Sequence, residues 1–520
     1  MAKQTRQTVN IGTKLDISDV VQVIDGQVSV FVSKQVKNRI IRSNKLLQTH
    51  AKSEIIYGVN TGFGPMAHVY IGPKKQQELQ YNLVRSHASG QGDPINVGYV
   101  KAMMLIRLHT LSLGYSGVSI GVVDTLKRFI EKDIVPIVPE HGSVGASGDL
   151  VQLAHIALGL IGEGDVFAKG KRMSAKTALK KYKIHPATLV GRDGLALING
   201  TTAMTAIAAV NVQKAKQLTH LTLIAVAFIL EIVEADIESI HPIVADVRKH
   251  QGQRKAAQSI RKILRGSRLV GTHKYKKILH SSCEMDTIKT LDMVQEIYSL
   301  RCAAQVVGPI LDTLVQTEKI IETEINSVTD NPIISKKYGI IHAGNFHGDY
   351  VSLEMDKLRI AITKLSILNE RQINFLCNDR INQKLPPFVN LGTIGFNLGL
   401  QGLQFVATST VAENQTLANP ISIHSITTNN DNQDIVSMGT NSSLLTDRVI
   451  ENTYQVISIL FAAILQSVEY LSQQDIMSPK TKEVYEILRR TFPKFTKDNT
   501  LTSEIEQLRE HLKTLDISAY

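Results

Sequence analysis

The chain has 520 residues, of which 43% are hydrophobic and 20% charged, and its net charge is +11 at pH 7. This composition excludes a disordered chain, and the length allows roughly two to four domains with large cores. Trp is absent, 5% of the residues are aromatic and 14 are Pro, whereas Leu, Ile, Ala, Gln and Lys are abundant. These proportions favour helices over a sandwich of short strands.

The cysteines and the hydropathy pattern indicate the compartment. Cys283, Cys302 and Cys377 are widely spaced and fit neither a disulfide framework nor a zinc site. The first residues, MAKQTRQTVNIGTK, contain no apolar segment of a secretory signal. The most apolar run, at 221–233, is shorter than the roughly 20 residues that a bilayer span needs. We therefore expect a cytoplasmic protein in a reducing compartment, without membrane attachment or a bound metal.

The positive charge is local. From Arg248 to Lys277 there are eleven Lys or Arg and no Asp or Glu, so the remainder of the chain has equal numbers of basic and acidic residues. Nucleic-acid binding would favour aromatic residues between the cations, and only Tyr275 is present. Apolar residues at 260, 263 and 264 instead have helical spacing. The stretch predicts a solvated helix and loop over an apolar stripe, and no nucleic-acid partner.

Along the chain, the first 200 residues mix short apolar segments with glycine-rich turns, whereas long apolar-periodic runs follow from Leu197. Several runs are apolar nearly all round, which predicts burial in a bundle or between subunits. We predict an N-terminal domain at 1–200, a central long-helix bundle at 201–480 and a C-terminal helical tail at 481–520. The predicted long helices lie within 203–240, 287–326, 350–376, 398–418 and 444–473.

The stretch HGSVGASGDL at 141–150 contains three glycines among small residues. It predicts a loop in which backbone atoms approach closely. If the Gly148 nitrogen attacks the carbonyl carbon of Ala146, a five-membered ring closes. Loss of two waters, one carrying the Ser147 hydroxyl, then leaves an electrophilic methylideneimidazolone (MIO) group. By chance, an Ala-Ser-Gly triplet occurs in roughly one chain in five of this length, so the triplet alone is weak support.

Four polar clusters add support. YGVNTGFG places Tyr57 in a glycine-rich loop, and LALINGTTAM places Asn199 at the start of a long helix. HAGNFHGDY offers Asn345, Phe346 and His347. Taken singly, each side chain could equally be a buried polar residue with satisfied hydrogen bonds.

The fourth cluster, QEIYSLRC, places Gln295, Tyr298 and Arg301 at positions i, i+3 and i+6. On one helix these side chains would lie along one side and face one cavity. A guanidinium can bind a carboxylate through two parallel hydrogen bonds, so Arg301 is a candidate carboxylate ligand.

These motifs, in this order, resemble the MIO-dependent aromatic amino-acid ammonia-lyases over about residues 15–480. The segments at 344–358, 386–393 and 429–442 are most similar to bacterial tyrosine ammonia-lyases of the flavobacterial type. The motifs are YGVNTGFG (57–64), GASGDL (145–150), LINGT (197–201), YSLR (298–301), GNF (344–346) and NQD (432–434).

The resemblance implies a mostly helical, fumarase/aspartase-like long-helix bundle, in which a mixed, loop-rich N-terminal region carries the MIO loop. It also implies a homotetramer with active sites shared between subunits. By the same resemblance, Ala146, Ser147 and Gly148 would form the MIO group autocatalytically. Asn199 would hydrogen-bond the carbonyl of that group, and Tyr57 would be the catalytic base.

The remaining roles follow from the same resemblance. Arg301 and Asn345 would hold the substrate carboxylate. Ser86 and His87 would select the aromatic ring, and Glu413 would lie on the pocket wall. The residues that would line the ring and the amine are Tyr298, also counted as catalytic, together with Gln295, Phe346 and Gln433.

The resemblance implies elimination of ammonia from L-tyrosine to give trans-4-coumarate. His87 can hydrogen-bond a phenol or an imidazole but would be unpaired against a phenyl ring. Glu413 could pair with an imidazole, so L-histidine, giving urocanate, is the runner-up. NGTTAM departs from the NGTQ of histidine ammonia-lyases, and Ala304 replaces a Pro that relatives usually have. Further alternatives are an aromatic 2,3-aminomutase and a non-catalytic helical scaffold that binds anions through 248–277.

Overall fold

The structure is a computed structural model that describes residues 8–24, 28–271 and 295–516. Helices dominate these residues, so the predicted mainly α fold class is confirmed. Apart from one hairpin at 333–341, the strands found in the described ranges lie before residue 175, in the region where the sequence predicts mixed structure.

The elements are numbered in chain order. The helices are α1 (Ile17–Gln22), α2 (Lys34–His50), α3 (Pro73–His87), α4 (Val97–Ser112), α5 (Ile120–Glu131), α6 (Leu150–Leu160), α7 (Ala175–Tyr182), α8 (Asp193–Ile198), α9 (Thr202–Ile232), α10 (Pro242–Arg248), α11 (Gln251–Ile263), α12 (Tyr298–Arg301), α13 (Ala303–Ile325), α14 (Asp349–Cys377), α15 (Asp379–Asn382), α16 (Gln401–Leu417), α17 (Gly439–Leu471), α18 (Pro479–Arg489) and α19 (Thr502–Thr514). Short 3-10 helices lie at Gly64–Met66, Glu238–Ile240 and Pro387–Val389.

The strands are short and form small sheets. Strand β1 pairs in parallel with β2, whereas β3 with β5, β4 with β6, β6 with β7, and β8 with β9 pair antiparallel. The strands are β1 (Thr8–Ile11), β2 (Ser29–Val32), β3 (Gln91–Pro94), β4 (Ile134–Pro136), β5 (Pro139–His141), β6 (Asp165–Ala168), β7 (Lys171–Ser174), β8 (Ile333–Ser335) and β9 (Gly339–Ile341).

Four of the predicted long runs form long helices, namely α9, α14, α16 and α17. The run at 203–240 ends earlier than its apolar pattern suggests, because α9 stops at Ile232. Glu234 follows with φ of +54°, a left-handed conformation that ends a helix. Hydrophobic periodicity therefore located these helices but not all of their ends.

The prediction of one helix over 287–326 is wrong for the described part of that run. Residues 287–294 lie outside the described residues, and two helices follow, α12 with four residues and α13 from Ala303. Ile297 has a non-helical backbone, with φ −58° and ψ 151°, so α12 begins only at Tyr298. Cys302, with φ −99° and ψ 10°, separates the two helices.

The chain groups into two compact units. Unit one contains residues up to 213, 316–357 and 420–447, and unit two contains 214–315, 358–419 and the residues from 448. Each unit thus consists of segments that are distant in sequence. The three consecutive domains that the sequence suggests stay a prediction.

Unit one brings three helix ends together. Helices α3, α6 and α8 pack against one another. The end of α3 carries His87, the residues before α6 include Ser147, and Asn199 follows the end of α8. The packing of these three helices therefore positions three of the predicted site regions.

Unit two contains the described part of the basic stretch. In α11, Ile260 and Ile263 are buried, as is Leu264 directly after it, whereas Arg254 and Lys255 are exposed. The predicted solvated helix over an apolar stripe is confirmed for 248–271. Residues 272–277 lie outside the described residues.

Among the described residues, two helices are apolar and long enough to span a bilayer, α9 and α17. Their most apolar windows are 83% and 78% buried within the protein, so both are core helices of the fold. Of the cysteines, Cys302 and Cys377 are free thiols, and Cys283 lies outside the described residues. Burial raises the pKa of Cys377 to about 12, which keeps that thiol protonated.

One buried histidine of α4 links stability to pH. His109 is fully buried, and its Nδ1 accepts a hydrogen bond from the Gly12 N–H at 3.3 Å. Burial, assisted by the nearby charge of Arg39, lowers the pKa of His109 from 6.5 to about 4. The unfolded chain therefore binds a proton at this position at a higher pH than the folded chain.

We expect the neutral His109 to leave the free energy of unfolding at its full value above pH 6.5. That free energy should fall as the pH decreases from 6.5 towards 4, because the unfolded chain then binds the proton and the folded chain does not. The free energy of unfolding should fall by about 3 kcal/mol more in wild type than in His109→Gln over that range. Urea unfolding at several pH values measures the difference. His185→Gln, at an exposed histidine, is the control and should retain the wild-type slope. Equal slopes for wild type and His109→Gln would contradict this assignment.

Candidate active site

The loop at 141–149 is held by backbone contacts with two distant segments of unit one. The Gly348 N–H donates to the Gly145 carbonyl at 3.1 Å, and the Met438 N–H donates to the Val144 carbonyl at 3.0 Å. The Ser437 hydroxyl also donates to the Gly145 carbonyl, at 3.0 Å. The predicted loop is confirmed, and its position is fixed by Gly348 and by the segment that contains Ser437 and Met438.

Among the glycines of the loop, Gly145 and Gly148 lie close to the left-handed helical conformation. Gly145 has φ of +70° and Gly148 has φ of +75°. Gly148 forms an isolated parallel bridge with Gly200, and the Asp149 N–H donates to the Gly200 carbonyl at 2.8 Å. A Cβ atom on Gly148 would lie 2.2 Å from the Gly200 oxygen, so the contact excludes any side chain.

Asp149 joins the loop to the helices around it. Its carboxylate is fully buried and accepts hydrogen bonds from the Ser143 hydroxyl at 2.9 Å, the Met204 N–H at 2.9 Å and the Thr440 hydroxyl at 2.5 Å. Burial raises the pKa of Asp149, and these donors oppose that rise. A buried carboxylate with three donors fixes its neighbours in one arrangement.

Asn199 contacts the centre of the loop. Its Nδ2 donates to the Ser147 carbonyl at 2.9 Å and lies 3.3 Å from the Ser147 hydroxyl. Its Oδ1 is buried and has no hydrogen-bond partner among the described residues. An unpaired buried acceptor carries a free-energy cost and therefore marks a place where a further donor would be favourable.

Arg107 binds the backbone of Asn199. Its guanidinium is fully buried and donates to the Asn199 carbonyl at 2.6 Å and to the Ala196 carbonyl. Burial lowers the pKa of Arg107 to about 10, so the side chain is still a cation at neutral pH. This cation holds the turn that carries Asn199 with two charge-assisted hydrogen bonds.

Tyr57 is half-buried in the glycine-rich loop. Its hydroxyl oxygen accepts the Gly64 N–H at 3.0 Å, and its own N–H donates to His342 Nε2 at 3.1 Å. The Tyr57 ring packs edge-on against Phe63, with 6.1 Å between centroids. These three contacts fix the backbone, ring and oxygen of Tyr57.

Ser86 and His87 lie at the C-terminal end of α3. His87 Nδ1 lies 2.9 Å from the Leu83 carbonyl and 3.1 Å from the Ser86 hydroxyl, which itself donates to Leu83. A carbonyl oxygen only accepts, so Nδ1 carries the proton. In the neutral ring, Nε2 is therefore an acceptor.

Other predicted residues of unit one lie in two loops. Asn345 is exposed and donates to the Val328 carbonyl at 3.2 Å, and Phe346 is half-buried. Gln433 is half-buried and pairs through its backbone with Thr428. Because the Gly348 N–H donates to the Gly145 carbonyl, the segment containing Asn345 and Phe346 ends beside the loop at 141–149.

Unit two contains Gln295, Tyr298 and Arg301, and their predicted placement on one helix is wrong. Gln295 precedes α12, which has only four residues and cannot span the i to i+6 spacing. The side chains still meet, because an Arg301 Nη1–H donates to Gln295 Oε1 and the guanidinium lies 4.3 Å from the Tyr298 ring centroid. A cleft of about 240 Å³ contains Gln295 and Arg301.

Glu413 of α16 is exposed and pairs with Arg448, at 3.3 Å.

The sequence alone assigns no role to five residues that contact the site, namely Asp149, Arg107, Ser143, Thr440 and His342. Two of these had a signal, because Asp149 directly follows the triplet and Arg107 interrupts an apolar run at 102–108. The others are ordinary residues whose contacts arise only in the fold.

Comparisons with known proteins identify the family of the chain. The aromatic amino acid lyase family model matches residues 15–490. The chain is 39% identical to a tyrosine 2,3-aminomutase from Chondromyces crocatus over 96% of this chain and 94% of that protein. It is 38% identical to a histidine ammonia-lyase from Geobacillus sp. (strain WCH70), over 97% of this chain and 96% of that protein.

A solved structure of tyrosine aminomutase from Streptomyces globisporus matches with a TM-score of 0.93 and 34% identity, over 98% of this chain and 97% of that one. The chain therefore belongs to the aromatic amino acid lyase family. It is an enzyme of the carbon–nitrogen lyase class.

The contact between Gly148 and Gly200 gives a stability prediction. Gly148→Ala should lower the free energy of unfolding by about 1–3 kcal/mol, because the new Cβ meets backbone and φ is positive. Gly121→Ala in α5, where no atom lies within 4 Å of the new Cβ, should stabilise by about 0.5–1 kcal/mol. Urea unfolding measures both. Equal changes in the free energy of unfolding for the two variants would show that the contact with Gly200 does not restrict the residue at position 148.

Proposed function

We propose that the chain is an ammonia-lyase that converts L-tyrosine to trans-4-coumarate and ammonium, using a MIO group formed from Ala146, Ser147 and Gly148. The observation that carries this proposal is the hydrogen bond from Asn199 Nδ2 to the Ser147 carbonyl, at 2.9 Å. Ring closure between Gly148 nitrogen and the Ala146 carbonyl carbon would leave the Ser147 carbonyl as the carbonyl of the ring. Asn199 thus donates to the atom whose polarisation would increase electrophilicity.

The residues present fit that group. Gly148 has no side chain to obstruct a ring, and its left-handed turn brings it against Gly200. The unpaired Asn199 Oδ1 offers an acceptor beside the same site. When formed, the group supplies an electrophile for the substrate amine, which converts a poor leaving group into a better one.

Tyr57 is the proposed general base for the β-proton. A free tyrosine has a pKa of about 10, so it can act as a base only if its phenolate is stabilised. The Gly64 N–H, 3.0 Å from the phenol oxygen, is one donor that would stabilise the phenolate. The fixed ring and backbone of Tyr57 would keep the oxygen in place during proton transfer.

Arg301 and Asn345 are the proposed carboxylate ligands, and Tyr298, Gln295, Phe346 and Gln433 the proposed residues around the ring and amine. We further propose a homotetramer whose active sites combine residues of different subunits. Several large apolar side chains are exposed in the single chain and would be available for such subunit interfaces. Examples with their exposed fractions are Phe396 (81%), Tyr350 (72%), Ile423 (70%), Tyr298 (69%) and Phe405 (64%).

The acceptor character of His87 Nε2 favours a substrate ring that carries a hydrogen-bond donor. The phenol of tyrosine and the imidazole of histidine both carry one, whereas the phenyl ring of phenylalanine does not. Glu413, which could pair with an imidazole, already pairs with Arg448. Tyrosine is thus the proposed substrate, and histidine the second candidate.

Similarity alone does not separate the alternatives, since the 39% and 38% identities are to a tyrosine aminomutase and a histidine ammonia-lyase. An aminomutase would return ammonia to the β-carbon and accumulate a β-amino acid. A non-catalytic anion-binding scaffold, using 248–277, would leave the Ala-Ser-Gly segment linear. We propose a cytoplasmic location, which the free thiols of Cys302 and Cys377 support.

The role of Tyr57 predicts a selective loss of turnover. Tyr57→Phe should lower kcat by about 10²-fold or more with little change in KM, because only the proton acceptor is removed. Steady-state kinetics with the preferred amino acid measures both constants. Tyr70→Phe, at an exposed tyrosine that follows the same loop, is the control and should behave like wild type. Wild-type turnover in Tyr57→Phe would exclude Tyr57 as the base.

Substrate choice is tested by kcat/KM for L-tyrosine, L-histidine and L-phenylalanine, with products identified by chromatography. We expect the highest value for tyrosine and trans-4-coumarate as the main product. His87→Leu should raise the ratio of phenylalanine to tyrosine by about 10-fold or more, since it removes one hydrogen bond to the ring.

The exposed His185→Leu should leave the ratio unchanged. A higher kcat/KM for histidine than for tyrosine would overturn the substrate assignment. Accumulation of a β-amino acid would replace the lyase by an aminomutase.

A further inference from the structure

A basic cleft in unit one has no role in the proposed reaction. It lies between α2, the end of α4 and the turn of the β8–β9 hairpin, and its volume is about 620 Å³. Ligand sites for small molecules commonly have volumes of about 300–1,000 Å³. The cleft is therefore large enough for a small metabolite.

All the charged side chains that line the cleft are positive. Its lining contains five cations from two elements, and neither α2 nor the 333–341 hairpin contains an Asp or Glu. Among the described residues, none of the five forms an ion pair with a carboxylate. The cations are Arg39, Arg42, Lys45, Lys336 and Lys337.

Arg39 is fixed in place before any ligand arrives. Its Nε and Nη2 donate to the Ser112 carbonyl at 3.1 and 2.6 Å, and Nη2 donates to the Gly12 carbonyl at 2.8 Å. The two carbonyls neutralise no charge, so the guanidinium keeps its full positive charge at the wall of the cleft. A held guanidinium loses little conformational entropy when it binds an anion.

The rest of the lining is apolar. Leu46 and Ile334 belong to a cluster of packed side chains that also contains Leu47, so this part of the wall is preformed. Leu113 and the ring of Tyr115, which is 46% exposed, are also part of the lining. The cleft thus combines several cations with an apolar surface that can cover a flat organic group.

A neighbouring groove has fewer cations than the cleft and no aromatic side chain in its lining. It shares Arg42 and Lys45 with the cleft, has a volume of about 530 Å³ and is lined otherwise by Lys34, Gln35, Asn38 and Ile41. The combination of five cations with an apolar wall belongs to the first cleft.

We propose that this cleft binds a small phosphomonoester that carries a flat apolar or heterocyclic group. A phosphate dianion matches a site with several cations and no carboxylate, because arginine and lysine both bind phosphate oxygens with charge-assisted hydrogen bonds. The apolar wall would contact the organic group, as in other mixed ligand sites. The inference does not depend on the proposed lyase activity.

The test uses isothermal titration calorimetry of the full-length protein with adenosine 5′-monophosphate as the probe. We expect saturable binding at one site per chain that is weakened by added salt. Adenosine should not bind, since it lacks the phosphate, and inorganic phosphate should bind at least about tenfold more weakly, since it lacks the apolar group. Equal affinities for phosphate and the nucleotide, or no binding of the nucleotide, would overturn the proposal.

Charge reversal tests the location. Lys336→Glu/Lys337→Glu, in the exposed hairpin turn, should weaken nucleotide binding by about tenfold or more. Lys171→Glu/Lys176→Glu makes the same change in charge at exposed positions of the same unit and should bind like wild type. Equal losses in both variants would indicate general electrostatic attraction and contradict a site in the cleft.

A single-stranded oligonucleotide identifies the competing class of ligand. If it binds much more tightly than the nucleotide, and Lys336→Glu/Lys337→Glu abolishes that binding, the surface binds polyanions and the proposal is wrong. Ammonia-lyase activity measured in the same variants should be unchanged, which keeps this test separate from that of the proposed function.

Discussion

The site depends on the contact between the backbones of Gly148 and Gly200. A Cβ on Gly148 would lie 2.2 Å from the Gly200 oxygen, and a Cβ on Gly200 would meet Arg107 and Thr329 within 3 Å. This contact joins the loop before α6 to the turn between α8 and α9, and so places Asn199 against Ser147.

Buried charges hold this contact on both sides. Asp149 receives donors from three segments, and Arg107 donates to the turn that carries Asn199. Neither group is in a favourable environment by itself, since burial raises the pKa of Asp149 and lowers that of Arg107. The hydrogen bonds that each group does form, three at Asp149 and two from Arg107 Nη2, hold the neighbouring segments in one arrangement and make the site rigid.

Much of the fold could be predicted from the sequence because long amphipathic and apolar runs have a strong period. The positions of α9, α14, α16 and α17 follow from that period, and the loop at 141–149 follows from its glycines. The break at Cys302 could not be predicted, since no Gly or Pro marks it and the residues around it are compatible with a helix. The sequence therefore predicts correctly that Gln295, Tyr298 and Arg301 are neighbours, but wrongly that all three lie on one helix.

The candidate site was predictable where a residue type has a distinctive chemistry, as for Ser147, Tyr57 and Arg301. It was not predictable where the role comes from a tertiary contact. His342 supports the backbone of Tyr57 from 285 positions away, and Thr440 bonds Asp149 from 291 positions away. The orientation of His87, on which the choice of substrate rests, also comes from a contact with Leu83 that the motif does not specify.

The central claim is that a tightly bent, glycine-flanked loop closes on itself to form the electrophile. Intact-mass spectrometry of the purified protein tests it most directly, with Ser147→Ala, which lacks the hydroxyl to be lost, as the reference. The account predicts that the wild-type protein is lighter than its encoded mass by two water molecules and that fragmentation confines the loss to residues 146–148. A wild-type mass equal to the encoded one would contradict the account.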